Sequence, residues 1–115
     1  MTSAIITCLR LSAMAMPEVE ERDHFGVPSW RVRGKIFAQL TYEPDQAILK
    51  IPKPRQDILF EVRPETFLPA VWGRLVWCRI LLTGVTPEEI ADLTRAAWLE
   101  TAPKRLAAAY LSSTA

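Results

Sequence analysis

Cysteine and glycine are scarce in this chain, and each scarcity removes a class of proteins. The two cysteines, Cys8 and Cys78, share no CxxC or other metal-like spacing, so they form neither a secreted disulfide framework nor a zinc site. Both are expected as small buried hydrophobes. Four glycines in 115 residues leave little material for a phosphate-cradling loop, and no GxGxxG, Walker or HExxH pattern occurs. His24 is the only imidazole. Asp23 stands beside it, but no Ser or Cys is tied to it in a recognisable nucleophile–base arrangement. No enzyme activity, catalytic residue or cofactor is therefore expected. No apolar run approaches the ~18 residues of a membrane span. Charge of one sign is missing too: 14 Lys+Arg stand against 13 Asp+Glu, a net +1. Any affinity for nucleic acid must come from a local patch.

What the chain does have is apolar material, at 50% of its residues. That share excludes intrinsic disorder, and the length suits one domain that hides roughly two-thirds of its unfolded surface without staples. Near the start, Ala13-Met14-Ala15 imitates a signal-peptidase site. No Lys or Arg precedes the apolar stretch, however, and Arg10 interrupts it, so a secretory signal is not expected. Ile5, Leu9, Ser12/Ala13 and Met16 instead fall at helical spacing. A first helix is expected from a Thr2 or Ser3 cap to about Met16, stopped by Pro17. The cytoplasm is the default compartment.

Beyond Pro17, Glu18 to Gly26 reads as an acidic connector. Three short strands follow, at about Ser29–Val32, Lys35–Thr41 and Ala47–Ile51, joined by Arg33-Gly34 and by Glu43-Pro44-Asp45-Gln46. Connections this short make neighbouring strands antiparallel. Pro54–Val62 suggests a helix with Ile58, Leu59 and Val62 on one side, and Glu65–Gly73 reads as a loop. Val76–Leu82 is the strongest strand. Thr86-Pro87-Glu88-Glu89 announces a helix with a capping box, and Ile90, Leu93, Ala97 and Trp98 form its apolar stripe. Pro103 restarts or kinks that helix, Lys104–Leu111 adds a turn or two, and residues 112–115 should fray. The expectation is a single α+β domain over residues 1–111, in the order α-β-β-β-α-β-α(α). It has about four antiparallel strands with the helices on one face.

Alternation assigns Trp30, Val32, Ile36, Ala38, Leu40, Ala47, Leu49, Ile51, Val76, Cys78, Ile80 and Leu82 to the covered face. Arg31, Arg33, Phe37, Gln39, Thr41, Ile48, Lys50, Trp77, Arg79 and Leu81 fall on the other. A strict two-residue turn at Arg33-Gly34 would instead pair Val32 with Lys35 and turn Phe37 inward, which leaves the register of that strand open.

Several segments in this order resemble the MmcQ/YjbR-like family of small bacterial proteins. They are the acidic stretch leading to His24-Phe25-Gly26, Gly34-Lys35-Ile36-Phe37-Ala38, Leu49-Lys50, Trp72-Gly73 to Trp77, and Ala102-Pro103-Lys104-Arg105. The likeness runs from about Leu9 to Leu106. It departs after Pro17, where a Gly is common in the family and Val19 comes early here. The resemblance implies a double-wing, frataxin-like α+β fold and a DNA-binding label that rests largely on fold analogy. It supplies no catalytic residues.

Two charged segments bear on function. Residues 17–30 carry Glu18, Glu20, Glu21 and Asp23 against Arg22. Clustered carboxylates suit hard cations, but this spacing fits no calcium loop and no metal ligand is assigned. Between residues 31 and 55, Arg31, Arg33, Lys35, Lys50, Lys53 and Arg55 face only Glu43 and Asp45, a local +4. With Arg79 and Trp77 on the uncovered face, these residues form the candidate nucleic-acid site. Cations would neutralise phosphates and Trp77 would stack on an unpaired base; alternatively the Arg33/Lys35 hairpin would enter a groove as a wing. Outward strand charges also arise simply from solvent exposure and protection of edges. The other function considered is a protein-interaction or self-associating module anchored by some of the four tryptophans.

Overall fold

A computed structural model describes residues 3–114; the possible Thr2 cap and the terminal Ala115 lie outside them. The chain opens with helix α1 (Ala4–Met14), whose Ser3 hydroxyl accepts from the Ile6 N–H at 3.1 Å. Leu9, Ala13 and Met16 are buried as the spacing predicts. A hairpin of β1 (Val19–His24) and β2 (Val27–Val32) follows, then β3 (Lys35–Leu40) and β4 (Gln46–Leu49). Helix α2 (Lys53–Val62) leads to a second hairpin, β5 (Phe67–Trp72) and β6 (Leu75–Leu81). Helices α3 (Pro87–Thr101) and α4 (Lys104–Thr114) close the chain. All strands are antiparallel in one sheet of order β1-β2-β3-β4-β6-β5, giving an α+β domain. No helix among the described residues is long and apolar enough to cross a membrane.

The sheet has six strands rather than about four, because both edges are strands that the sequence disguises. The acidic connector is β1. Its Phe25-Gly26 turn has φ of 52° and 91°, the doubly left-handed geometry of a two-residue hairpin. An edge strand open to water on much of its surface carries charge instead of an apolar alternation. The expected loop at Glu65–Gly73 contains β5, the opposite edge. The bond from Leu81 N–H to the Thr66 carbonyl (2.9 Å) sets the pairing parity: Leu68, Ala70 and Trp72 bond to β6, and Pro69 falls at an outward position. There its missing N–H breaks no ladder bond and blocks further pairing.

The open register of β3 is resolved by a bulge. The two-residue turn pairs Val32 with Lys35 and Arg31 with Ile36, but Trp30 pairs with Ala38. Phe37 is the extra residue, and both Phe37 and Ala38 are fully buried. The turn dictates one phase and the core dictates the other, and the bulge satisfies both. Phe37 therefore leaves the outward set, and Ile36 moves to the uncovered side. Val76, also expected inside, is exposed near the hairpin tip.

All helices lie on one face of the sheet. Beneath them Trp30 and Trp98 are the largest buried side chains. The Trp30 Nε1–H donates to Glu21 Oε1 at 2.9 Å, and the Trp98 Nε1–H to the Pro17 carbonyl at 3.1 Å. Glu21 also accepts from Arg10 Nε at 2.9 Å, joining β1 to α1. Helix α2 is rolled from its expected orientation. Gln56, Leu59 and Phe60 pack inward while Ile58 and Val62 are exposed, because the Gln56 amide anchors the helix to the Val76 carbonyl. The capping box of α3 forms as expected. After Pro103, α4 continues through Thr114, past the expected stop at Leu111. Its Ala107–Ala109 run favours helix, and Ser113 and Thr114 bond back to the carbonyls of Tyr110 and Leu111.

Candidate functional site

One-sided packing leaves the other sheet face free of helices, and a cleft of ≈ 550 Å³ lies there. Its floor comes from alternate positions of the central strands: Val27 of β2, Ile36 and Gln39 of β3, Ile48 of β4, and Trp77 and Arg79 of β6. Ile48 points away from the helices, yet these neighbours leave it only 4% exposed. The rim is aromatic. Phe25 stands on the β1–β2 turn at 80% exposure, and Tyr42 leans over that turn at 76%, its hydroxyl donating to the Phe25 carbonyl. The His24 ring lies edge-on to Phe25, with centroids 4.8 Å apart. Across the cleft, Trp72 meets Trp77 edge-to-face at 5.6 Å. That contact follows from pairing Ala70 with Trp77 and Trp72 with Leu75, which puts the two indoles diagonally on one face.

Two arginines on this face are held by neutral acceptors. Arg31 Nε donates to Ser29 Oγ at 3.2 Å, and its Nη2 lies 3.3 Å from His24 Nδ1. The buried Ser29 hydroxyl in turn donates to the Arg22 carbonyl at 2.8 Å. Arg79 Nη1 donates to Gln46 Oε1 at 3.2 Å. Neither guanidinium has a carboxylate within ion-pair distance among the described residues. Their charge is oriented without being neutralised. Glu43 contributes an acid to the cleft lining.

The remaining basic positions are distributed elsewhere. Arg33, in the β2–β3 turn with φ of 49°, is gripped by both oxygens of Glu18 at 2.9 and 3.2 Å. The Glu18 hydrogen bond raises the Arg33 pKa, and the same bond holds the Glu18 carboxyl below its ordinary value. Lys53 bonds to Asp57 at 2.7 Å, and Arg55 pairs with Asp92 of α3. The +4 of residues 31–55 is thus partly cancelled by acids from outside that segment. Lys35 is exposed at the tip of the β2–β3 hairpin and does not line the cleft. Lys50 and Lys53 line a separate recess that shares Trp77 with the cleft. The fold therefore brings Arg79 and Trp77 into the cleft, places Arg31 on the same face behind the cleft-lining His24, and separates Arg33, Lys35 and Arg55 from them. Phe25, Tyr42 and Trp72 join the site unforeseen. They sit on hairpin connections or an unrecognised edge strand, where alternation carries no signal. The acids of β1 are spread along an edge, and no three His, Cys, Asp or Glu among the described residues form a metal-binding group.

The YjbR family model matches residues 14–100, from the end of α1 to the last turn of α3. The crystal structure of the Deinococcus radiodurans protein DR2400, with a DUF419 domain, has a TM-score of 0.71 to this chain at 21% identity. The match covers 83% of this chain and 76% of that one. That likeness speaks for the fold. No curated protein matches this chain.

Proposed function

This chain belongs to the YjbR family, and from that premise we propose that it is a non-enzymatic cytoplasmic protein that binds single-stranded nucleic acid, DNA first among the candidates, weakly through the helix-free face of its sheet. The observation that carries this reading is the cleft, where Phe25, Tyr42 and Trp72 rim a largely apolar floor that includes Trp77 and the un-neutralised Arg79, with Arg31 behind His24 on the same face. Unpaired bases stack on aromatic rings at about 1–3 kcal/mol each, whatever the sequence, and nearby arginines take the phosphates. A duplex offers a charged rod, with its base faces stacked on each other. Helix α3 is a poor reader of such a rod, since Glu88, Glu89, Asp92 and Glu100 outnumber Arg95.

Fluorescence anisotropy with single-stranded and duplex oligonucleotides at 50 and 200 mM salt tests the proposal. Single strands should bind more tightly than duplex, and Trp77→Ala should weaken them about tenfold, the size of one lost stack. No binding at the lower salt, or affinity unchanged in Trp77→Ala, would remove the cleft from consideration. The exposed Val71, Trp72, Leu75 and Val76 of the β5–β6 hairpin support a second reading, a protein-interaction surface. Concentration-dependent sedimentation without oligonucleotide affinity would favour it.

A further inference from the structure

A second recess, of ≈ 280 Å³, opens beside the cleft at the start of α2. Lys50 reaches it from the link between β4 and α2, Lys53 from the first residue of α2, and Arg74 from the β5–β6 turn. Helix α2 begins with Pro52 at its N-cap and no side-chain cap, and with Pro54 also lacking an N–H its first turn leaves only the Lys53 and Arg55 N–H groups outside the helical ladder. Asp57, bonded to Lys53, and Glu100 also line the recess. Three cations thus stand against two carboxylates. Gln56 forms part of the same wall and is only 3% exposed. Its Nε2 donates to the Val76 carbonyl at 3.0 Å, and its Oε1 is buried out of solvent contact with no hydrogen-bond partner among the described residues.

We propose that this recess binds a phosphate monoester, carried on the end of a nucleic-acid strand or on a mononucleotide. The ligand must supply anionic oxygens for Lys50, Lys53 and Arg74. An internal phosphodiester brings one charge. A monoester carries nearly two charges at neutral pH. Trp77 borders both the recess and the cleft, so a base stacked on it lies next to a phosphate in the recess. The strand-end source rests on the reading of the cleft given above; the phosphate chemistry does not.

The test is a ¹⁵N NMR titration with inorganic phosphate, a 5′-mononucleotide, and oligonucleotides with 5′-phosphate, 3′-phosphate or only hydroxyl ends. Inorganic phosphate should shift the Gln56 side-chain amide and the Arg74 signals. One phosphorylated end should bind about tenfold more tightly than the hydroxyl-ended strand, as expected for a new charge-assisted bond. Both effects should vanish in Arg74→Glu, a change at an exposed turn residue whose fold is checked in the same spectra. Unmoved Gln56 signals, or shifts that persist in Arg74→Glu, overturn the phosphate site. Equal affinity for phosphorylated and hydroxyl-ended strands overturns the strand end as its ligand. Binding of phosphate and mononucleotide with no oligonucleotide affinity upholds the recess and refutes the cleft reading.

Discussion

Replacing Arg79 with Gln should halve the salt dependence of single-strand binding on a logarithmic scale, whereas the same change at Arg33 should leave it intact. The contrast follows from their partners. Among the described residues Arg79 bonds only the neutral Gln46 amide, while Arg33 is held by both oxygens of Glu18 outside the cleft lining. On single strands each phosphate contact contributes a slope of about 0.7 in log affinity against log salt. From 50 to 200 mM, one contact therefore costs about 2.6-fold and two cost about sevenfold. With Arg31 and Arg79 both engaged, the parent protein should lose about sevenfold, Arg79→Gln about 2.6-fold, and Arg33→Gln again about sevenfold. Hydroxyl-ended oligonucleotides keep the recess at Lys50 and Lys53 out of the measurement, and anisotropy at four or five salt concentrations gives each slope. Equal slopes for the parent and Arg79→Gln, or a reduced slope for Arg33→Gln alone, would show that the phosphates lie on the hairpin tip and would refute the reasoning.

Three further outcomes follow from the packing. A methyl at Gly84 would lie 2.6 Å from Thr66 Oγ1 and 2.9 Å from its Cγ2, so Gly84→Ala should cost about 1–3 kcal/mol in urea unfolding; a neutral result would mean that Thr66 moves freely aside. Burial pushes the Cys78 thiol up to about 12, while Cys8 is half-buried on α1. A thiol reagent should therefore modify Cys8 in the native protein and Cys78 only after denaturation, and simultaneous reaction of both would contradict the packing of β6. The Arg63 guanidinium, helped by the Thr86 N–H, holds the Glu89 carboxyl below its ordinary value of 4.5. The unfolded chain then binds the proton more readily, so this contribution is present above that value and is lost as pH falls through the lowered one. Glu89→Gln keeps the reach to the Thr86 N–H and removes the charge. It should flatten the acid limb of a melting-temperature profile, and an unchanged limb would assign the acid sensitivity to other groups.

Local interactions made much of this molecule legible from the chain alone. The cap at Ser3, the Thr86–Glu89 box and the breaks at Pro17 and Pro103 act within a few residues, so α1, α3 and the start of α4 could be read directly. The alternation of β2, β4 and β6 likewise placed Arg31, Arg79 and Trp77 on the uncovered face, since a strand with one face in the core must repeat every two residues. Contacts distant in sequence decided the rest. Strands β1 and β5 exist because a neighbour offers a ladder. At an edge, charge or proline is tolerated, so the strand signal is lost. The β3 bulge reconciles a turn with a core built from segments distant in sequence, and neither constraint alone reveals it. The basic segment changed its meaning most. Asp57 lies one helical turn from Lys53, but Glu18 and Asp92 reach Arg33 and Arg55 only through the fold. Coulomb energy depends on distance in space and on what already surrounds a charge. A count along the chain therefore located the positive residues, and only the tertiary structure determined which of them remained un-neutralised beside an aromatic cleft.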